Sequence, residues 1–319
     1  MRVFLGAAIL ACLSSGNARA AEPYPSKPIR MVVAFPPGGP VDLVARLIAP
    51  ALSETLGQNV VVENKTGASG NLGAGEVKKA APDGYTLLAH SSAFAINPSL
   101  IPDSGYDAVK DFATIAIMAS QPNVIVVHPS FPAKTLAELI QAARKGKLAY
   151  ASPSTGTTPH LTAENLFRVA AKVDITHVPF RGAGPAVAAV VSGEPPIGSV
   201  AASGPMPHLK SGKLRALAVS SAKRLASLPD VPTLGEAGYR GMEDYTWVGL
   251  FAPAGTPAAV VDKLNDAVNR AIETPLVKER LDGLAFEPVR RKPRESADYL
   301  RAEVAKWSKV VRETGAKPE

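Results

Sequence analysis

Four loops rich in glycine and proline each connect a short apolar segment to a helix-like pattern. They are residues 35–40, 66–71, 152–159 and 180–185. The first turn of a helix leaves its N–H donors unpaired and carries the positive end of the helix dipole. Several such turns around one cleft could hold a small anion without a charged side chain, so the sequence favours anion binding over catalysis.

The first two loops do not match the common motifs that bind nucleotides or activate a serine. No Gly-Lys-Ser/Thr follows the glycines of residues 35–40, as a P-loop requires, and the G-x-G-x-x-G dinucleotide pattern is missing. Gly67-Ala68-Ser69-Gly70 approaches the serine-hydrolase elbow, but Asn71 stands where that elbow requires glycine. For the first of these loops, a tight strand-to-helix turn with a purely structural role stays open as the alternative.

Two side chains in the last two loops could take part in anion binding. Arg181 could hold a carboxylate through two parallel hydrogen bonds, or it could remain solvated on an exposed loop. His160, directly after Pro159, could donate a hydrogen bond to an anion or could instead stabilise the helix start. The five histidines show no metal-binding spacing such as H-E-x-x-H, so we predict neither a metal site nor a cofactor.

The first twenty residues have the features of an export signal. Met1-Arg2 is a short basic start, residues 3–13 are apolar, and Ala18-Arg19-Ala20 matches an A-x-A cleavage signal. We predict cleavage after Ala20. Lipidation at Cys12, the only cysteine, is the alternative. No later segment approaches the ~18 apolar residues of a membrane-spanning helix, so we predict none after cleavage.

Length and charge narrow the possible functions further. The chain has 319 residues, and even without the signal it exceeds the ~100 to 200 residues of a usual domain, so two domains are expected. The formal net charge is +7, but acids and bases are interspersed and only 6% of residues are aromatic. A nucleic-acid partner would need a clustered basic face with interleaved aromatic residues, so we predict none.

Strand-like and helix-like segments alternate along the chain, which predicts an α/β fold with mostly parallel sheets flanked by helices. A first block covers residues 29–90, a second covers 124–220, and three helix-like segments follow. The extended segments 122–128 and 245–252 lie between the blocks, where the chain would cross twice. We therefore predict a discontinuous first lobe, residues 21–122 and 247–319, and a continuous second lobe, residues 123–246, joined by a hinge.

Several short motifs give the chain a specific resemblance from about Tyr24 to the C-terminus. They include P-P-G-G-x-x-D-x-x-A-R ending at Arg46, together with residues 24–30, 63–73, 81–86, 179–186, 212–219, 229–233 and 247–257. Because these motifs occur in this order and at this spacing, the chain resembles a Bug-type substrate-binding protein of the tripartite tricarboxylate transporter family. The resemblance implies a monomeric periplasmic receptor with a two-lobed, Venus-flytrap fold of type II. Such a receptor closes on a small carboxylate and presents it to membrane permease subunits.

The resemblance also implies a set of ligand contacts, mostly from backbone amides and ordered water. We predict the following site residues: Phe35, Pro37, Gly38, Gly39, Asp42, Ala68, Ser69, Gly70, Asn71, Ser91, Ser92, Ala93, Ser154, Thr155, Gly156, Thr157, His160, Arg181, Gly182, Gly184 and Val200.

Two departures from the family pattern bear on the ligand. Val200 stands where members that bind amino acids place an acid facing the ligand, and Thr157 replaces a usual glycine. The resemblance therefore implies a ligand with only negative charge, such as a di- or tricarboxylate or an aromatic carboxylate. A signalling receptor for the same ligand is an alternative. A secreted hydrolase or transferase that uses Ser69 or His160 is another.

Overall fold

The computed structural model describes residues 24–318, so the predicted export signal and Cys12 lie outside the described residues. The strands are β1 (Ile29–Val33), β2 (Val60–Asn64), β3 (Thr86–Ser91), β4 (Phe112–Val127), β5 (Leu148–Ser152), β6 (Ile175–Pro179), β7 (Ile197–Ala201), β8 (Arg215–Val219), β9 (Tyr245–Pro253) and β10 (Glu287–Pro288). The helices are α1 (Pro40–Leu56), α2 (Asn71–Lys78), α3 (Ala93–Leu100), α4 (Leu136–Lys145), α5 (Thr158–Glu164), α6 (Ala183–Ser192), α7 (Met206–Lys210), α8 (Ala258–Glu273), α9 (Pro275–Gly283) and α10 (Pro293–Thr314).

The strands form a mixed sheet with two parts. In the first half-sheet, β2, β1 and β3 are parallel, and β9 pairs antiparallel with β3. In the second half-sheet, β5 pairs in parallel with both β6 and β7. The α/β class is as predicted, but the sheet is mixed because the joining strands run antiparallel to their neighbours.

The long strand β4 connects the two half-sheets. It pairs with β9 as far as Pro122, opposite Tyr245, and from Asn123 onward it pairs with β7 and β8 instead. The chain thus passes between the half-sheets at one point on β4 and again at the start of β9.

Helices cover both faces of each half-sheet because each helix buries an apolar stripe. In the first half-sheet, α1, α8 and α9 pack on one face, and α2, α3 and α10 pack on the other. In the second, α4 covers one face and α6 the other. None of the helices between residues 24 and 318 is long and apolar enough to cross a membrane.

Helix boundaries follow local signals where these are strong. α1 begins at Pro40, whose fixed φ suits the first turn, and Gly57, with a φ of 68°, caps its C-terminal end after Leu56. The hydroxyl of Thr135 accepts a hydrogen bond from the backbone of Glu138 and caps α4. Two elements do not follow from such signals: α3 contains Asn97-Pro98, which is typical of a turn, and β7 contains Gly198.

Candidate functional site

The four loops follow the carboxyl ends of parallel strands in the two half-sheets, and they meet at one cleft. Ligands in open α/β sheets generally bind outside these strand ends. Two adjoining cavities, here called the inner and the outer cavity, share Phe35, Pro36, Pro153 and Gly182 in their walls. The cleft is therefore bounded by loops of both half-sheets.

Helix starts from both sides supply the polar backbone of the inner cavity. Pro40 and Val41 of α1 line one wall, and Ala183 and Gly184 of α6 line the other. The first backbone bond within α1 runs from Leu43 N to the Gly39 carbonyl, so the helix itself does not use the amide N–H of its first turn. Two helix dipoles thus present their positive ends to the same space.

Charged side chains are nearly missing from the described walls of the two cavities. Arg181 is the single charged residue that lines them, and it lies in the outer cavity. The other polar side chains in the inner cavity are hydroxyls: Ser91, Thr157, Thr158 and Thr246. The site therefore offers donors and positive potential without a carboxylate, and it suits an anion.

Loops of the two half-sheets touch directly across the cleft. The Ser69 hydroxyl lies 2.9 Å from the Ser154 hydroxyl and donates to the Thr155 carbonyl at 2.8 Å. At the opposite wall, a Cβ on Gly182 would lie 3.4 Å from Pro36 Cγ. Loops of the two half-sheets are therefore in direct contact at the cleft.

Asp42 stabilises the first loop through hydrogen bonds and does not line the cavities. Its buried carboxylate accepts hydrogen bonds from the Gly38 amide at 2.9 Å, from Asn64 Nδ2 at 2.8 Å and from Arg46 Nε at 2.9 Å. The predicted i, i+4 pairing with Arg46 is present. The Gly-Gly turn is thereby fixed to the start of α1.

His160 and His177 form a stacked pair beneath the third loop, with ring centroids 4.1 Å apart. His160 Nδ1 accepts a hydrogen bond from the Gly156 amide at 3.3 Å, so His160 supports the loop. Burial, the neighbouring His177 and Arg168 lower the pKa of His160 to about 3, and burial and Arg168 lower the pKa of His177 to about 4. Both rings are therefore neutral near pH 7.

The structure gathers most of the predicted site residues on the cavity walls. Those that line them are Phe35, Pro37, Gly39, Ala68, Ser69, Gly70, Ser91, Ser154, Thr155, Thr157, Arg181, Gly182 and Gly184. The remaining predicted residues do not line them: Gly38, Asp42, Asn71, Ser92, Ala93, Gly156, His160 and Val200.

The placement of Val200 corrects the expectation that it faces the ligand. Val200 is fully buried in a hydrophobic cluster with Val124 and Val190. Side chains alternate along a strand, so its neighbour Ala201 lies on the cavity wall instead.

Several wall residues were not among the predicted site residues. Thr158 and Pro159 are the last two residues of the third loop, and the predicted site residues next to them in the sequence could have indicated them. Thr246 and Ala201 belong to β9 and β7, and no local pattern distinguishes them from core residues. Only the pairing of strands brings them to the cleft.

The surroundings of Ser69 differ from those of an activated serine nucleophile. The partners of the Ser69 hydroxyl are Ser154 and Thr155 rather than a histidine base. Within residues 24–318, no group of three or more histidine or acidic side chains could hold a metal ion.

Comparison with known proteins identifies the family. The model for the tripartite tricarboxylate transporter family receptor matches residues 44–316. BugT of Bordetella pertussis is 37% identical over 301 residues, 93% of this chain and 92% of BugT. An R. palustris protein solved with adipate has a TM-score of 0.88 at 34% identity, covering 93% of this chain and 100% of that chain.

A second solved relative has the same fold over nearly the whole chain. MatC from Rhodopseudomonas palustris, solved with bound malate, has a TM-score of 0.85 at 36% identity and covers 90% of this chain and 100% of that chain. The predicted fold and the predicted Bug-type resemblance are therefore confirmed. The chain belongs to the tripartite tricarboxylate transporter receptor family, whose members are solute-binding receptors with the periplasmic binding protein fold.

Proposed function

We propose that this protein is an exported, monomeric receptor that captures a small carboxylate in the cleft and delivers it to membrane permease subunits. The class of ligand is a di- or tricarboxylate or an aromatic carboxylate. Relatives solved with adipate and malate support this class. The receptor role requires no catalytic turnover.

One observation carries the proposal: two helix starts and Arg181 surround a cleft whose described walls contain no acidic side chain. An anion gains hydrogen bonds and dipole stabilisation there. A ligand ammonium, by contrast, would lose its water without gaining a carboxylate partner. We therefore expect the receptor to prefer acids over zwitterionic amino acids.

Closure of two lobes is the proposed mechanism of capture. We assign residues 21–122 and 247–319 to one lobe and residues 123–246 to the other. The exchange of strand partners on β4 between Pro122 and Asn123 supports this division. A ligand held from both lobes shifts the equilibrium toward the closed form by its difference in affinity for the two forms.

A thermal-shift screen of the mature protein tests the proposal. The panel contains mono-, di- and tricarboxylates, aromatic acids and amino acids at equal concentration. We expect selected acids to raise Tm, because a ligand at 100 times its Kd stabilises the folded state by about 2.7 kcal/mol. No shift with any acid, or larger shifts with amino acids, would contradict the proposal.

A further inference from the structure

The second loop has a strained backbone. Residues 67–70 all have positive φ angles, and two of them, Ala68 at 46° and Ser69 at 54°, are not glycine. In this left-handed region the Cβ of any residue other than glycine is crowded against its own backbone. Such strain persists only where the surroundings hold it, and it is typical of functional sites. Contacts around the loop must therefore stabilise the turn.

Asn97 of α3 supplies such contacts. Its side chain is fully buried, and Nδ2 donates to the Ser69 carbonyl at 2.9 Å and to Asn71 Oδ1 at 2.7 Å. The nitrogen of this amide must face the loop, because the Ser69 carbonyl can only accept a hydrogen bond. Both hydrogens of the amide are thus used to hold the second loop.

The Asn97 side chain also borders the third loop. A Cβ on Gly156 would lie 2.8 Å from Asn97 Oδ1 and 2.9 Å from Leu100 Cδ2, so the third loop packs directly against α3. The Ser69 hydroxyl in turn donates to the Thr155 carbonyl at 2.8 Å. Asn97 lines neither cavity. It therefore lies behind the cleft wall, at the point where loops of the two half-sheets meet.

We infer that Asn97 is a positioning residue, which holds the second loop in its left-handed turn and so fixes the wall that residues 68–70 contribute to the outer cavity. Without this amide, the strained turn relaxes in a fraction of the molecules, and only the remainder has a complete cleft. The apparent Kd then rises, because it equals the intrinsic Kd divided by the competent fraction. The effect on ligand affinity rests on the proposed function, whereas the effect on the loop does not.

Hydrogen exchange in the ligand-free mature protein, followed by NMR, tests the effect on the loop. The Gly70 amide is hydrogen-bonded to the Gly67 carbonyl, and the Asn71 amide to the Ala68 carbonyl. Exchange of these two amides therefore reports opening of the turn. We expect Asn97→Ala to accelerate it at least about 10-fold, because two hydrogen bonds to the loop are lost. Addition of Ala68→Gly should slow it again about fivefold, since glycine adopts the left-handed turn without strain.

Asn265→Ala is the matched control. Asn265 is another buried asparagine of the first half-sheet, and its Nδ2 donates to the Ile115 and Arg291 carbonyls. Its helix α8 packs on the opposite face of the half-sheet from α3. We expect this variant to exchange the amides of Gly70 and Asn71 as slowly as the wild type does.

Either of two results in the exchange experiment would overturn the inference. One is equal exchange of the second loop in Asn97→Ala and in the control variant. The other is a failure of Ala68→Gly to slow exchange in the Asn97→Ala protein. If Asn97→Ala does not fold, Asn97→Ser, which keeps a polar group at this position, replaces it with the same expected directions.

Titration calorimetry with adipate and malate measures the consequence for binding. We expect Asn97→Ala to weaken binding about 10-fold, and Ala68→Gly to improve binding more in the Asn97→Ala protein than in the wild type, whose turn is already formed. Faster exchange with unchanged affinity would overturn the role of Asn97 in positioning the site. If the wild type binds neither acid, the proposed ligand class fails, and the exchange experiment alone decides whether Asn97 holds the loop.

Discussion

The Asp42→Ala variant should lose about 3 kcal/mol of unfolding free energy and should bind its carboxylate at least about 10-fold more weakly. Asp42 is buried, and its carboxylate accepts hydrogen bonds from Gly38, Asn64 and Arg46. Its removal leaves the Gly38 amide and the Asn64 side chain without that acceptor. The first loop would then lose the conformation that directs α1 toward the cleft.

Urea unfolding and titration calorimetry measure the two effects of Asp42→Ala. Glu54→Ala provides the control, since Glu54 is an exposed acid on the same helix and is remote from the loop. We expect Glu54→Ala to stay within about 0.5 kcal/mol of the wild type. An Asp42→Ala protein as stable as this control and equally able to bind would refute the supporting role of Asp42.

Acidification from pH 7 to pH 5 should destabilise the protein by roughly 5 kcal/mol. Burial lowers the pKa values of His90 and His177 to about 4 and that of His160 to about 3, with smaller contributions from Arg168 at His160 and His177. The unfolded chain takes up these protons near pH 6.5, whereas the folded chain does not. The stability contribution is complete above pH 6.5 and is lost as the pH falls toward the folded pKa values.

Asp244 offsets part of this loss. Burial raises its pKa to about 6, so between pH 6 and pH 4 the folded chain binds this proton more readily than the unfolded chain does. At pH 5, each histidine lowers the free energy of unfolding by roughly 2 kcal/mol, and Asp244 raises it by about 1 kcal/mol.

Urea unfolding at pH 7, 6 and 5 measures the pH dependence, and a histidine variant locates its source. His160→Asn keeps an acceptor near the position of Nδ1, which holds the Gly156 amide, and removes one titrating group. Between pH 7 and pH 5, we expect the free energy of unfolding of this variant to fall by about 2 kcal/mol less than that of the wild type. His208→Asn, on the short helix α7, is the control. Identical pH profiles for wild type and His160→Asn would contradict the assignment.

The sequence alone predicted the elements whose local signals agree with their packing. Pro40 and Gly57 delimit α1, and Thr135 caps α4, because these residues determine backbone geometry within a few positions. α3 escaped prediction because Asn97-Pro98 is typical of a turn. In the structure Asn97 is buried inside that helix and donates to the Ser69 carbonyl and to Asn71 Oδ1. A tertiary contact overrides the local preference there.

The cleft was predictable only in part for the same reason. Loops after strands carry Gly and Pro, so residues such as Gly39 and Gly182 could be assigned to it from the sequence. Thr246 and Ala201 lie within strands, and their positions depend on which strands pair. Val200 and Ala201 illustrate why sequence alone cannot assign strand residues to the cleft. A shift of one residue along a strand moves a side chain from the core to the cavity wall.

Titration calorimetry of the mature protein with a dicarboxylate and with its uncharged diamide tests the central claim most directly. The two ligands have nearly the same shape, and they differ in the negative charge that the helix starts and Arg181 are proposed to bind. We predict that the diamide binds at least about 100-fold more weakly than the acid, because charge-assisted hydrogen bonds are roughly twice as strong as neutral ones. Equal affinity for acid and diamide would contradict the assignment of the cleft as a carboxylate site.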